Sequence, residues 1–502
     1  MSSRSLPLRK KKSSPGGSVL GGAPKSDDPA ASPGGVSYQY KMTADPGVLT
    51  TYLDQVRDAV LTCSQSSSDP RLYLNTSGNP CDSDSPGLML SNNVWEDSYA
   101  TFIYSNANIV RGLWDAASSF NALGLFAERD DANTRAASIK AALDARLACN
   151  TENTDISQLG VVYPFKVYGP LDSRVVPFET RITSQLVNAP GFFNDGYGWT
   201  GLVNRYVGDT YWGNGSPSSP WGAGPWFLST AWYGMYLADR ADFTPGKADI
   251  NAHKSKIDLM IARLGPAGFG AEQIAPRGIP GQPAPWNTGS LLYPGQNDFV
   301  LQTAWPNAWE SMSTFVDSIM AFLDYDPDAP SNTMRIAPKL PSDWGTMTFS
   351  NITLVNAPAG HTHKVSLTIT EAPTTGNQTL VFTNSAGFAV NMQPTLKLPV
   401  GRSACSVRVN GTPTAYTPDI SGRLTISTFP LATGANAITT LIVTTVAGNS
   451  PDFNRSGALE VADIFAFLNA WFAGDLSTDF NSSAALEVAD IFGFLNAWFA
   501  GC

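Results

Sequence analysis

The sequence predicts a multidomain α plus β protein: helices to about residue 325, a β-sandwich over residues 332–446, and a small all-α pair over 451–502. Three observations predict it. Apolar residues recur three and four apart in the first region and alternate singly in the second. The segment 452–474 then returns almost unchanged as 479–501, which marks a tandem supersecondary unit.

Residues 1–36, rich in Ser, Pro, Gly and charge, are expected to be disordered. Helical spacing starts in Leu49, Tyr52, Leu53, Val56 and Val60. It is clearest in Tyr99, Phe102, Ile103, Asn106, Val110, Leu113, Trp114 and Ala117, which predict a helix beginning at Tyr99. Further stripes run through Ile139–Leu147, Leu228–Tyr236, Ile250–Leu264 and Ala308–Leu323. Long Gly/Pro/Trp-rich loops at 189–225 and 265–304 separate them, and loops of that length inside a helical region are usually functional.

After Asp326–Ser331 the period changes to two. Met347–Leu354, Lys364–Ile369, Thr379–Phe382, Cys405–Val409, Arg423–Ile426 and Ala437–Val443 alternate as strands, with Asn410-Gly411 as a hairpin signal. His361 and His363 fall between these runs and read as a solvated turn.

The composition narrows the function. A net charge of −10 opposes binding to nucleic acid, because an acidic surface repels phosphate. Three histidines, no nucleophile-elbow serine and no CxxC spacing leave hydride-transfer, serine-hydrolase and zinc-hydrolase chemistry without their parts. Five cysteines leave at least one unpaired; Cys63, Cys81 and Cys149 offer a disulfide in an exported protein without fixing which two join. No stretch is long and apolar enough to span a membrane, and the basic start lacks the apolar core of a signal peptide.

Each repeat opens with Asp-Phe-Asn and places another Asp eleven residues on. Asp452, Asn454, Ser456 and Asp463, then Asp479, Asn481, Ser483 and Asp490, thus occupy positions one, three, five and twelve of a calcium-binding loop of EF-hand length. The module resembles dockerin, which implies calcium in the two loops, a cohesin-like or cell-surface partner and an extracellular setting. Ser456 and Ser483 stand where Asp is preferred, lowering the ligand charge, and Ala484 stands where Gly makes the turn.

Five segments carry the remaining chemistry: Val94-Trp95-Glu96-Asp97, Arg205-Tyr206-Val207-Gly208-Asp209-Thr210-Tyr211, Pro225-Trp226-Phe227-Leu228, Ala271-Glu272-Gln273 and Thr303–Ala308. In that order they resemble the motifs of glycoside hydrolase family 15, the glucoamylases. The resemblance implies an (α/α)6 helical barrel over 37–325 and hydrolysis of α-glucosidic bonds in an α-glucan or oligosaccharide, with no catalytic cofactor. Glu96 would be the general acid, aided by the desolvating aromatics Trp95 and Trp226, and Glu272 the general base. Inversion follows at a carboxyl separation of roughly 6.5–9.5 Å. Arg205 and Asp97 would hold sugar hydroxyls and Trp226 a pyranose face, with Trp95, Tyr206, Asp209 and Tyr211 completing the substrate site.

Only one helix, about 48–63, precedes Glu96, and the family's early Arg-Asp pair has no counterpart in residues 1–47. The barrel is therefore expected to be incomplete and the chain cut at its front. A catalytically degenerate, surface-attached sugar-binding protein is the alternative. Another is an (α/α)6 phosphorylase, since Met334–Trp344 resembles the accessory-domain start of families 65 and 94.

Overall fold

The computed structural model describes residues 33–62, 74–92, 94, 95, 98–150, 153–188, 199–209, 225–264, 268–274, 307–419, 421–483 and 485–502. Helices and sheets combine, with a β-sandwich among them. The chain forms two compact units, one of residues 1–38, 47–152 and 164–168, the other of 39–46, 153–163 and 169–502. Helix α1 (Pro33–Thr43) already starts inside the stretch expected to be disordered.

In the first unit the early stripe becomes two helices, α2 (Pro46–Thr51) and α3 (Leu53–Thr62). Strands β1 (Ser91–Asn92) and β2 (Tyr99–Ala100) pair Ser91 with Ala100 and Asn92 with Tyr99. The following helix, α4, therefore runs Ile103–Ala122 rather than from Tyr99. The physical reason is cross-strand pairing: the backbone of Tyr99 and Ala100 is committed to β1, so their apolar spacing is not expressed as helix. Asn106 secures the junction, its amide accepting from Met89 N and donating to Met89 O at 2.8 and 3.0 Å.

Helix α5 (Phe126–Cys149) packs on α4 through Ala132, Ala136, Ile139, Leu143 and Leu147, and ends where Asn150 turns left-handed. The buried Arg146 donates to Ser85 Oγ at 3.1 Å, and a Cys81–Cys149 disulfide closes the same corner. Cys63, the third cysteine of that group, lies outside the described residues.

The second unit holds α6 (Val176–Gln185), α7 (Phe227–Arg240), α8 (Ala248–Ile261) and α9 (Ser313–Met320). Helix α7 is buried on all sides from Phe227 to Ala238, as befits a helix apolar around its circumference. Its Gly234 lets His253 of α8 approach, since a Cβ there would stand 3.0 Å from His253 Nδ1. Arg240 joins the helices, binding Glu179 of α6 and Asp249 of α8 at 3.0 and 2.7 Å.

The sandwich consists of β3 (Tyr325–Asp328), β4 (Thr333–Ile336), β5 (Thr346–Asn356), β6 (His361–Glu371), β7 (Gln378–Asn384), β8 (Asn391–Lys397), β9 (Arg402–Val409), β10 (Thr412–Pro413), β11 (Tyr416–Pro418), β12 (Arg423–Ile426), β13 (Phe429–Pro430) and β14 (Ala437–Ala447). One sheet has the order β10-β9-β14-β7-β6-β5 and the other β11-β12-β8-β4-β3, with β13 beside β8. Asn410 and Gly411 both have positive φ, 48° and 83°, as the Asn-Gly hairpin requires.

Two readings are corrected here. The residues taken as the junction, Asp326–Ser331, begin the sandwich, because β3 pairs with β4. His361 and His363 lie within β6, opposite Asn356 and Leu354 of β5, and His363 is fully buried.

Buried ion pairs tie the helices of this unit to the sandwich. Lys339 lies between Asp242 and Asp324 at 3.2 and 3.0 Å. Burial presses its pKa down, but the two carboxylates outweigh that and hold it above the usual lysine range. Lys397 Nζ donates to the carbonyls of Ala241 and Thr244.

The repeats end in α10 (Val461–Phe472) and α11 (Val488–Ala500). Phe467 and Phe494, at equivalent positions, stack at 4.1 Å with an interplanar angle of 5°. Phe453 and Phe480, from the two Asp-Phe-Asn openings, meet this pair edge-on. The sandwich holds the module by Val407 N donating to Gly457 O, by Ser450 Oγ donating to Ala404 O, and by a Cys405–Cys502 disulfide.

Candidate functional site

Four short extended segments of the second unit lie side by side. Asp155 pairs with Tyr206, Asn204 with Pro225, and Trp226 with Gln273. The hydrogen bonds are Ile156 N to Arg205 O at 2.8 Å, Trp226 N to Val203 O at 3.0 Å, Ile274 N to Pro225 O at 2.8 Å and Phe227 N to Glu272 O at 3.3 Å. Arg205, Trp226 and Glu272, spread over nearly seventy residues of sequence, are thereby brought onto neighbouring rungs.

Each rung has a local cause. Trp226 has extended backbone at the start of α7 and is 2 % exposed. Thr230 Oγ1, one turn on, donates to Trp226 O and accepts from Val203 N, joining the first turn of α7 to the neighbouring rung. The buried Lys256 of α8 donates to the Gly201 carbonyl, and burial pushes its pKa down to about 8. Gly270 must lack a side chain, because a Cβ would stand 2.9 Å from the Phe227 ring.

Arg205 and Asp209 form a bidentate pair, Nε to Oδ2 and Nη2 to Oδ1, both 2.7 Å. Their side chains are only 6 % and 5 % exposed. The guanidinium lies 4.1 Å from the Trp226 ring centroid and 5.0 Å from that of Tyr206. Glu272 is half-buried between the buried Ala271 and Gln273. Its segment rests on the turn after Asn307, where Asn307 N donates to Gly270 O at 3.1 Å and Ser311 Oγ to Ala271 O at 2.7 Å.

Sequence reasoning passed over one carboxylate here. Glu310 is half-buried, and its amide donates to the capping Asn307 Oδ1 at 3.0 Å. It sits in the π-type turn Ala308–Met312 that carries Ser311. The Trp-Glu pair at 309–310, echoing the one at 95–96, was the available signal.

Of the other expected residues, Trp95 lies half-buried in a turn of the first unit between β1 and β2. Glu96, Asp97 and Tyr211 lie outside the described residues, as does most of the Thr303–Ala308 segment.

The repeat loops share one geometry. Asp452 accepts from Ser456 N and Gly457 N at 3.0 and 2.9 Å, and Asn454 Oδ1 accepts from Ser456 N at 2.9 Å. Asp463 accepts from Asn454 N and Glu460 N at 3.0 and 2.9 Å. Asp479, Asn481 and Asp490 repeat the pattern in the second loop through Ser483 N, Asn481 N and Glu487 N. Asp463 and Asp490 have no solvent exposure, and burial, with the charge of Asp463, pushes Asp452 up to about 6. Among the described residues, no group of three or more His, Cys, Asp or Glu side chains is arranged to hold a metal. Each loop instead gathers two carboxylates with an amide and a hydroxyl, hard oxygens of the kind calcium takes.

No protein-family model matches the chain, and no curated protein matches it in sequence. Solved structures do. An α-L-rhamnosidase from Dictyoglumus thermophilum matches at TM-score 0.43 and 10 % identity, covering 83 % of this chain and 39 % of its own. One from Aspergillus terreus matches at 0.43 and 13 %, covering 80 % and 38 %. The glucoamylase of Saccharomycopsis fibuligera matches at 0.31 and 14 %, covering 46 % and 57 %. These neighbours are glycoside hydrolases, and the chain spans about two fifths of the length of the two rhamnosidases. With every score below 0.5, the likeness assigns neither substrate nor linkage.

Proposed function

We propose that the chain is a glycoside hydrolase that cleaves oligo- or polysaccharides, with Glu272 as general base and Glu96 as general acid in an incomplete (α/α)6 barrel. One observation carries the reading. Arg205, Trp226 and Glu272, from three sequence motifs of a glucoamylase-like site, meet on one short backbone ladder. An inverting reaction needs a carboxylate to draw a proton from water and an acid to protonate the leaving oxygen. A half-buried glutamate on the same short ladder as the Arg205–Trp226 pair suits the first role, and Asp97, Asp209, Tyr206, Tyr211 and Trp95 remain the expected sugar contacts.

The test is product release and anomeric configuration with malto-oligosaccharides and an aryl α-L-rhamnoside, the second taken from the names of the structural neighbours. Glu272→Gln and Glu96→Gln are each expected to abolish turnover without changing substrate Kd. Retained binding with no turnover in the unaltered chain would favour the degenerate sugar-binding alternative. Dependence on inorganic phosphate would favour a phosphorylase. Loss on Glu310→Gln but not on Glu272→Gln would move the base to Glu310.

The same proposal includes residues 451–502 as a docking module with calcium in its loops, held by Asp452, Asn454, Ser456 and Asp463 and by their counterparts Asp479, Asn481, Ser483 and Asp490. Val461, Phe465 and Phe472, exposed by 57, 64 and 76 %, have copies Val488, Phe492 and Phe499 exposed by 57, 63 and 75 %. Two equivalent apolar faces support a cohesin-like or cell-surface protein partner. Two disulfides favour an extracellular setting; among the described residues no helix is long and apolar enough to cross a membrane.

A further inference from the structure

We infer that His361 and His363 form a two-imidazole site for a divalent transition-metal ion of the zinc class at one end of the sandwich. Being two apart on β6, they project from the same face of the sheet. Their ring centroids are 4.7 Å apart. Two imidazoles sharing a tetrahedral zinc at about 2.0–2.1 Å per nitrogen place their centroids about 5 Å apart.

The ring nitrogens supply the second observation. His361 Nδ1 lies 3.3 Å from Ala359 O. A carbonyl only accepts, so Nδ1 carries the proton and Nε2 keeps its lone pair. That Nε2 is buried with no hydrogen-bond partner in the protein. A histidine that donates one N–H to a backbone carbonyl and presents the other nitrogen is the usual state of a metal ligand. His363 has no solvent exposure, and neither of its ring nitrogens has a protein partner. A metal–nitrogen bond satisfies the lone pair that each neutral ring presents. Phe388 stacks on His361 at 4.1 Å and 20°, fixing the plane of that ring. With two protein ligands, the remaining positions belong to water or an incoming ligand.

The test uses the full chain, freed of metal by a chelator and held in excess calcium so that the repeat loops do not compete. Zinc is titrated calorimetrically into the unaltered protein, His361→Gln and His363→Gln, with circular dichroism as the check on folding. His361→Gln is the decisive variant because His361 is only part-buried. The expected result is one zinc equivalent lost in each variant, and a zinc-induced rise in Tm that His361→Gln does not show. Equal stoichiometry in the unaltered chain and His361→Gln, or no zinc binding by the unaltered chain, overturns the inference.

Discussion

Replacing Arg205 by Met keeps much of the side chain's length and removes its charge. Asp209 would then be a carboxylate 8 % exposed with its bidentate partner gone. Two unit charges about 4 Å apart at an effective dielectric near 20 interact by about 4 kcal/mol. Breaking one side of a buried pair costs about 3–5 kcal/mol in measured cases. The guanidinium over Trp226 adds up to about 2 kcal/mol when desolvated. A loss of about 4 kcal/mol is a factor of about 1,000 in the equilibrium between closed and open ladder.

Hydrogen exchange reads that factor directly. The amides of Ile156 and Trp226, which bond Arg205 O and Val203 O, should exchange about 1,000-fold faster if they open locally. Adding Asp209→Leu to Arg205→Met should restore most of the protection, because it removes the buried carboxylate together with the guanidinium that pairs with it. Unchanged exchange in Arg205→Met would refute the reasoning. So would a double variant as impaired as the sum of the two single ones.

Three further predictions follow from the same structure. Gly457→Ala should loosen the first repeat loop from the sandwich, since Gly457 has φ 88° and a Cβ would stand 2.6 Å from Val407 O; faster exchange of the Val407 amide is the readout. Cys405→Ser with Cys502→Ser opens a loop of 97 residues, for which chain entropy sets a loss of about 4–5 kcal/mol; a lower urea midpoint is expected, with proteolysis near residue 450. Burial pushes His253 down to about 4 from the ordinary 6.5. The folded chain therefore binds fewer protons than the unfolded one between those values, and stability falls as pH drops from about 6.5 to 4, by at most about 3 kcal/mol from this residue. Comparing the pH dependence of urea midpoints for the unaltered chain and His253→Gln checks it; equal slopes contradict it.

Sequence legibility followed the range of the interactions. The stripes of α5 and α8 and the alternation of β5, β7 and β14 were readable because each element's own spacing states which face is buried. Strand β8 escaped notice because Pro394 argues against a strand interior, yet Pro394 sits opposite Ile336 in the parallel β4–β8 pair. The start of α4 was misplaced because β1, eight residues upstream, claims Tyr99 and Ala100.

By itself the sequence determined the helical, sandwich and repeat regions, the Asn-Gly hairpin, and the residue types able to do acid–base or calcium chemistry. Tertiary structure alone decided which cysteines join, that Arg205 is paired with Asp209, that Trp226 and Glu272 share a ladder, and that the two histidines face the sandwich interior. Periodicity is a local record of burial, whereas a pairing between Cys405 and Cys502, or between Trp226 and Gln273, is selected by the packing of everything between them.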